Sequence, residues 1–176
     1  MAKSKWAVDA AHSSVDFSVR HMMIAKVKGT FHSFDANIEA DPEDLTSASI
    51  EFTVDLSSID TRSNDRDAHL RSADFFDVEN HPKMTFKAAS INKTGDNEYE
   101  VSGDLTIRGV TNQETFAVVY EGGGKDPWGN EKAGFSVTGK IKRSNYGLVW
   151  NAALETGGVL VGEDVNISLE IEANKA

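Results

Sequence analysis

One polar stretch of the chain, residues 60–82, concentrates the side chains that could bind or transform a small molecule. It reads DTRSNDRDAHLRSADFFDVENHP, and Asp67 and His69 lie near its centre. It also holds half of the arginines of the chain, namely Arg62, Arg66 and Arg71. Guanidinium groups offer planar, paired donors that match phosphate or pyrophosphate. The stretch therefore predicts a site for an anionic or strongly polar head group.

The acidic residues of the same stretch support a second interpretation. Five aspartates lie in it, namely Asp60, Asp65, Asp67, Asp74 and Asp77. Because the net local charge is not positive, the arginines could instead form an internal salt-bridge network that pins this segment to the rest of the fold. A neutral polar head, such as an amide or a quinone carbonyl, would also suit a mixture of arginine, aspartate and histidine.

A short helix is predicted within this stretch. Asn64 can accept a hydrogen bond from an amide of the first turn and so cap a helix that begins at Asp65. An apolar pair closes the stretch, Phe75 and Phe76. We expect a small helical plug with a polar cluster and an apolar foot.

Two further polar residues follow predicted strands. His21 precedes a methionine-rich bend, and Arg143 stands at a later strand end. Both could reach the same polar site as His69. An ordinary hydrogen-bonded side chain is the alternative for a histidine, and we expect it for His12, His32 and His81.

The common motifs of catalytic and metal sites are absent from the sequence. There is no cysteine, which excludes disulfides, thiolate nucleophiles and Cys-ligated zinc. The histidines are scattered, without an HxH or HExxH pair, and there is no GxSxG elbow or phosphate-binding glycine motif. We expect no metal, no catalytic residue and no cofactor, although an enzyme that uses His21, Asp67 and His69 remains an alternative.

The rest of the chain alternates apolar and polar residues, as strands with one buried face do. The alternating segments are 6–9, 15–19, 27–31, 34–38, 50–56, 84–88, 99–107, 116–120, 133–141 and 165–171, with a further short strand at 149–154. The alternation changes parity between residues 31 and 34, which predicts a β-bulge. About eight strands and no long amphipathic helix indicate one all-β domain, either a sandwich or a closed barrel.

The predicted inward face of these strands is rich in phenylalanine. Its members include Phe17, Phe31, Phe52, Phe86, Leu105, Phe116 and Phe135. Small residues such as Gly29 and Gly139 share the same faces and leave room. An eight-stranded barrel can be filled by its side chains or can hold one small ligand, and the residues alone leave both possibilities open. Trp150 either packs on a loop or seals one end of a tunnel.

Charge and hydropathy restrict the partners. The formal net charge of −10 at pH 7 disfavours nucleic acids and anionic membranes as primary partners. The first residues, MAKSKWAVDAAHSS, lack the apolar core and the cleavage site of a secretion signal, and no apolar run approaches transmembrane length. We therefore expect a soluble, cytoplasmic protein without stable membrane insertion.

Four segments, in order, resemble the YceI-like family of lipocalin-like polyisoprenoid-binding proteins. They are DAAHSSVDFSVRHMMIAKVKGTF, SIDTRSNDRDAHLRSADFFDVENHPKMTF, GDLTIRGVT and DPWGNEKAGFSVTGKIKRSNYGLVWN. The resemblance runs from Trp6 to Ile171 and implies a single domain over residues 1–176. That domain would be an elongated eight-stranded antiparallel barrel with one or two short helices near its mouth. Many relatives carry a secretion signal, and this sequence departs from them there.

The resemblance also implies an apolar tunnel that holds a long-chain lipid. The expected polar mouth consists of His21, Arg66, Asp67, His69 and Arg143. The expected apolar wall consists of Phe17, Phe31, Phe52, Phe75, Phe76, Phe86, Leu105, Phe116, Phe135 and Trp150. The expected ligand is a polyisoprenoid, an isoprenoid quinone or a pyrophosphate, with a fatty acid or fatty amide as the alternative. A homodimer is expected from the resemblance and from the unusually apolar segment 115–120. A further alternative function is a sheet-mediated interaction module, whose filled core would bind no lipid.

Overall fold

The alternating segments form antiparallel strands in the computed structural model, which describes residues 3–152 and 160–176. The strands of this described part are β1 (Ser4–Val8), β2 (Ser14–His21), β3 (Ala25–Phe31), β4 (Phe34–Asp41), β5 (Asp44–Asp55), β6 (Ile59–Asp60), β7 (Lys83–Gly95), β8 (Glu98–Ile107), β9 (Val110–Lys125), β10 (Glu131–Lys142) and β11 (Val161–Lys175). One α-helix, α1 (Asn64–Arg71), lies between β6 and β7. Short 3-10 turns are found at Ala10–His12, Leu56–Ser58 and Arg143–Tyr146.

The strands close into an eight-stranded antiparallel barrel. β4, β5, β7, β8, β9, β10 and β11 follow one another in the sheet, and β1 completes the ring by pairing with both β4 and β11. Three of the eight barrel strands are each interrupted and consist of two of the elements given above. At the helix end, β2 pairs with β11 and β3, and β3 pairs with β6. The pieces are β1 with β2, β3 with β4, and β5 with β6. The closed ring confirms the predicted barrel and excludes the sandwich.

The two ends of the barrel differ. β2, β6, β8 and β10 all finish at the end where α1 lies, which we call the helix end. The tight turns between β4 and β5 and between β7 and β8 lie at the opposite end, the far end. Up-and-down strand order places alternate connections at opposite ends in this way.

The parity change at residues 31–34 coincides with the break between β3 and β4. β3 ends at Phe31 and β4 begins at Phe34, and in between the amide of His32 donates to the carbonyl of Ser58 at 3.3 Å. The predicted bulge is therefore an interruption of two residues. This interruption lies beside the break between β5 and β6, which form the neighbouring barrel strand.

The predicted helix exists, but it begins one residue earlier than expected. Asn64 is its first residue, and the cap is Ser63, whose hydroxyl accepts from the amide of Arg66 at 3.3 Å. Its apolar foot packs against the buried core through Leu70, Phe75 and Phe76. Across residues 3–152 and 160–176, no helix is long and apolar enough to cross a membrane.

The predicted short strand at residues 149–154 is wrong for residues 149–152, which belong to no strand, and its last two residues lie outside the described part. Before it, the 3-10 turn Arg143–Tyr146 ends at Gly147, whose φ of 76° lies in the left-handed region. Glycine adopts that region without a steric penalty, which explains the stop at this position. Beyond Gly147 the chain leaves the sheet and contributes to the wall of the barrel interior at the helix end.

The inward glycines have a different use from the one expected. A Cβ atom added to Gly29 would lie 2.3 Å from the ring of Phe17, and one added to Gly139 would lie 2.3 Å from the ring of Phe116. The space beside these glycines is therefore filled by rings of the protein itself. These two glycines therefore make room for the neighbouring phenylalanines and not for a ligand.

Candidate ligand-binding site

The barrel interior contains two adjoining cavities. The upper chamber, at the helix end, has a volume of about 260 Å³, and the lower chamber, towards the far end, has a volume of about 200 Å³. Val15, Met84 and Ile167 line both, so the two chambers lie next to each other inside the barrel. Together they reach the range of roughly 300–1,000 Å³ that is typical of small-molecule sites. The interior is therefore hollow along much of its length.

All ten apolar candidates line one of the two chambers. The upper chamber is lined by Phe17, Phe31, Phe75, Phe76 and Trp150, and the lower chamber by Phe52, Phe86, Leu105, Phe116 and Phe135. Many of their rings pack against one another, as Phe86 and Phe116 do edge-to-face at 5.2 Å between centroids. Such a wall suits a flexible hydrocarbon chain, because contact with it removes apolar surface from water without a need for directional bonds.

Most of the lining residues that bear polar groups belong to the upper chamber. Four of the five polar candidates line it, namely His21, Arg66, His69 and Arg143. The lower chamber is lined by aliphatic and aromatic side chains. The surface of both chambers is almost wholly apolar, and the side chains that bear polar groups contribute mainly their carbon atoms to the upper chamber.

The buried core continues beyond the lower chamber towards the far end. Trp6, Ala133 and Ala173 form a buried cluster there with Ala40, which also lines the chamber. The indole Nε1 of Trp6 donates to the carbonyl of Ala40 at 3.3 Å. This cluster extends the apolar character of the lower chamber to the far end of the barrel.

Asp67, the fifth polar candidate, lines neither chamber. Asp67 is only 5% exposed. Its Oδ1 accepts two hydrogen bonds from Thr61, one from the amide at 2.9 Å and one from the hydroxyl. The Thr61 hydroxyl in turn accepts from Nε of Arg66 at 2.7 Å, and the Thr61 carbonyl accepts from Nη2. Asp67 thus fixes the segment that holds the Arg66 guanidinium beside the chamber.

Arg143 is 4% exposed and donates to four backbone carbonyls. The acceptors are Leu148 (2.6 Å), Trp150 (2.9 Å), Val161 (3.2 Å) and Gly162 (2.8 Å). Burial lowers the pKa of Arg143 from its ordinary value, and the nearby carboxylate of Glu163 opposes that effect. Because most of its donors are already engaged, Arg143 ties residues 148–150 to the start of β11.

His69 is both part of the aromatic wall and a hydrogen-bonding group. Its ring lies edge-on to Phe75 and Trp150, at 5.0 and 4.7 Å between centroids. Its Nε2 lies 2.9 Å from Oδ2 of Asp74. The carboxylate therefore orients the ring, which is half-exposed at the rim of the upper chamber.

The alternative of an internal arginine salt-bridge network is not what the described residues show. Their ion pairs all involve histidine or lysine. Arginines bond instead to neutral oxygens, as Arg71 does to the carbonyl of Ser57 at 3.1 Å and Arg108 to that of Gly147 at 2.9 Å. The arginines of the helix end therefore hold backbone and hydroxyl oxygens and form no direct ion pair among the described residues.

The described residues contain one group of possible metal ligands, and it lies outside both chambers. Asp9, His12 and Glu172 bring their ligand atoms within 4.8 Å of one another. The ammonium group of Lys132 lies 3.6 Å from the Asp9 carboxylate and 3.3 Å from that of Glu172, so a cation is already present there. The residues of the alternative enzyme, His21, Asp67 and His69, form no such group.

We expect the Asp9–His12 pair to be visible in a titration. A hydrogen bond to the Asp9 carboxylate, at 2.8 Å, and the attraction of that charge raise the pKa of His12 above its ordinary value of about 6.5. The protonated form is favoured in the folded state. The contribution to stability is therefore present below the unfolded pKa and is lost as pH rises through the folded pKa.

NMR titration of the His12 ring should give a midpoint above that ordinary value, and Asp9→Asn should lower the midpoint. Asparagine keeps the oxygen that caps the following turn. Asp35→Asn, on an exposed strand position, is the matched control and should leave the midpoint unchanged. An unaltered His12 midpoint in Asp9→Asn would contradict the pairing.

Several wall residues escaped the sequence analysis. Met84 shares a strand face with Phe86, so the alternation could have identified it. Leu70 lies on α1, and Leu148 and Leu160 lie in irregular chain. No periodic signal marks such positions, because an irregular backbone has no fixed inward face.

Comparison with known proteins matches the chain over nearly its whole length. The YceI-like domain profile matches residues 6–173. A UPF0312 protein of Staphylococcus epidermidis is 46% identical over 170 residues, which cover 96% of each chain. The crystal structure of BcnA from Burkholderia cenocepacia matches with a TM-score of 0.82 at 27% identity, over 94% of this chain and 98% of BcnA.

A structure with lower identity is similar in fold. It is a polyisoprenoid binding domain from Saccharophagus degradans, implicated in plant cell wall breakdown. It matches with a TM-score of 0.69 at 14% identity, over 98% of this chain and 99% of the domain. At that identity the likeness establishes a shared fold.

Proposed function

Because this chain belongs to the YceI-like family, we propose that it binds a long-chain apolar lipid of the polyisoprenoid type and sequesters or carries it. The tail occupies the two chambers, and the head group lies at the helix end. One observation carries the proposal: the barrel holds two adjoining chambers of almost wholly apolar surface, and His21, Arg66 and His69 are among the residues at the helix end of the upper one. That a domain of the same fold is described as polyisoprenoid binding supports it.

Burial of the tail supplies enough free energy for tight binding. Each CH₂ group removed from water contributes about 0.8 kcal/mol. A long isoprenoid tail therefore gains more than roughly 10 kcal/mol gross, against an association cost of about 4–15 kcal/mol or more. The walls need only exclude water and match the shape of the chain, so no bond-making chemistry is assigned to any residue.

The head group is proposed to be a hydrogen-bond acceptor. Arg66 is exposed at the rim, and the Nη1 of its guanidinium has no partner in the part of the chain that the structure describes. His21 and His69 line the same chamber. A pyrophosphate or a quinone carbonyl could accept from these donors. The carboxylate or amide of a fatty acid or fatty amide could do so as well, which keeps those ligands as the second candidate.

Mass spectrometry of an organic extract tests the proposal. We expect natively purified protein to release a near-stoichiometric lipid whose fragments form a ladder of isoprene units. A straight-chain acid or amide would retain lipid binding and replace the ligand. The extract of Phe135→Glu is the control for lipid held on the outer surface. An empty wild-type extract, together with failure to take up a fluorescent isoprenoid in detergent solution, would contradict the proposal.

The expected homodimer and cytoplasmic location stay predictions. The apolar segment 115–120 lies on β9, where Phe116 and Val118 face the lower chamber and Val119 is exposed on the outer surface. A homodimer through that surface would cover Val119. Sedimentation of wild type and Val119→Lys, and fractionation of cells, would test the two predictions.

A further inference from the structure

The loop between β2 and β3 is apolar and exposed at the helix end. It consists of Met22, Met23 and Ile24, which we call the mouth tip; all three are exposed, and Ile24 is 80% exposed. Met22 and Met23 have φ angles of 53° and 64°, in the left-handed region. Glycine, asparagine and aspartate adopt that region most readily and are the usual residues of such turns. The requirements of the turn therefore do not explain why three large apolar residues stand here.

The mouth tip is continuous with the wall of the upper chamber. The amide of Met22 donates to the carbonyl of Leu160 at 2.8 Å, and Leu160 lines the chamber. The amide of Leu160 donates in turn to the carbonyl of Ala152 at 2.9 Å. On that side Trp150 faces the chamber while its neighbour Val149 is exposed. Apolar surface thus extends from the interior to the outside at this opening.

Basic residues flank the mouth tip. No acidic residue lies between Asp16 and Asp35, whereas Arg20, Lys26 and Lys28 are exposed on β2 and β3. Arg20 and Lys26 stand directly opposite each other in the register. Like charges in that arrangement repel, so the pair does not stabilise the hairpin. On the other side of Arg20, β11 carries the exposed Glu163 and Asp164, so Lys26 and Lys28 would provide most of the attraction for an anionic partner.

The two ends of the barrel differ in charge, although the helix end also carries acidic residues such as Asp65, Asp74 and Glu163. All six arginines lie at the helix end, namely Arg20, Arg62, Arg66, Arg71, Arg108 and Arg143. The chain carries a net charge of −10, and the turn between β4 and β5 at the far end is purely acidic, with Asp41, Glu43 and Asp44. The net charge of −10 opposes the approach of the whole molecule to a negative surface, so attraction is expected only when the basic residues beside the mouth tip face that surface.

We propose that the mouth tip docks this protein on an anionic lipid bilayer. Met22, Met23 and Ile24 enter the interfacial region, and Arg20, Lys26 and Lys28 meet lipid phosphates. This docking rests on the proposed function, because it would bring the chamber opening to the membrane in which a water-insoluble lipid resides. The contact is peripheral and reversible, since only one short loop and a few charges take part.

Co-sedimentation with vesicles tests the docking. The probes are vesicles of phosphatidylglycerol and phosphatidylcholine in equal amounts, and vesicles of phosphatidylcholine alone. We expect wild type to bind the anionic vesicles and to lose binding as salt is raised. The variant Met22→Asn/Met23→Asn/Ile24→Ser should bind at least about tenfold more weakly. Asparagine tolerates the left-handed backbone, so this variant should fold, as a thermal melt would verify.

Trp128 provides the matched control. It is 84% exposed, on the loop between β9 and β10 at the far end. Trp128→Ser removes more apolar surface than any single change at the mouth tip, yet it should leave vesicle binding unchanged. Lys26→Glu/Lys28→Glu should lose binding to anionic vesicles, because it reverses the charges that flank the mouth tip.

Three results would overturn the docking. The first is no binding of wild type to anionic vesicles, even though it takes up a fluorescent isoprenoid in detergent solution; the lipid-binding proposal would then survive alone. The second is binding that is lost in Trp128→Ser and kept in the mouth-tip variant. The third is a dimer in lipid-free solution that the mouth-tip variant dissociates, which would make this surface a contact between copies. Vesicle binding without isoprenoid uptake would instead contradict the proposed function and leave the membrane contact in place.

Discussion

Replacing Phe135 with glutamate is expected to abolish lipid binding while the barrel stays folded. Phe135 lines the lower chamber, and its ring packs against Tyr120 at 5.3 Å between centroids. A carboxyl group at this position draws water into the chamber, and a bound tail would have to strip that water away. Burial of an unpaired polar group costs roughly 2–7 kcal/mol, which corresponds to a loss of affinity of about 30-fold or more.

Affinity for a fluorescent isoprenoid, measured in detergent solution, is the readout for this variant. Thr138→Glu is the matched control, because it adds the same charge to the exposed outer face of β10 and should leave affinity unchanged. Phe86→Glu should reproduce the loss from another strand, with exposed Lys87→Glu as its control. A folded Phe135→Glu variant that keeps its full lipid content would show that the tail does not reach the lower chamber.

The wall that this prediction tests could be identified from sequence because strands have a period of two. Once Phe52 and Val54 are assigned to the buried face of β5, every second residue of that strand is assigned to the same face. Closure of the barrel was not readable in this way. It depends on Trp6 pairing with Lys175, two residues at opposite ends of the chain that no local pattern connects. Only the resemblance to a family of known fold supplied it.

The inward glycines illustrate what register adds to an alternating pattern. Gly29 was expected to leave room in the interior, and it does share the inward face of its strand. It stands directly opposite Phe17 in the β2–β3 register, however, so the ring of Phe17 covers it. Small residues reveal open space only when their cross-strand partners are also known.

The polar mouth was harder to predict than the apolar wall. Arginine donors suit a ligand phosphate and a backbone carbonyl equally well. Only the path of the irregular chain after Gly147 determines that Arg143 meets four carbonyls. The same holds for Asp67, whose carboxylate turns to Thr61 because the loop before α1 presents an amide and a hydroxyl together. The residue types indicated where in the chain the site lies. They did not indicate which of its polar side chains face a ligand.

Replacing Arg143 with lysine is expected to destabilise the protein strongly. Lysine keeps the charge but offers a single ammonium group, which cannot reach four carbonyls that a planar guanidinium spans. Buried carbonyls that lose a charged donor cost about 1–3 kcal/mol each, and the effects are not additive. We expect a loss of about 3 kcal/mol, which for a chain of this size lowers the melting temperature by roughly 6–12 °C.

Thermal and urea unfolding of Arg143→Lys measure this loss, with Arg108→Lys as the matched control. Arg108 is a half-buried arginine of the same end of the barrel that donates to one carbonyl, so its replacement should cost about 1 kcal/mol. Lipid affinity separates the two roles that the sequence allowed for Arg143. If it anchors the chain, the unfolding midpoint falls far below that of Arg108→Lys, and affinity measured below the melting transition changes little. An unchanged midpoint combined with a large loss of affinity would instead make Arg143 a head-group ligand, because its carbonyl bonds would then contribute little to the fold.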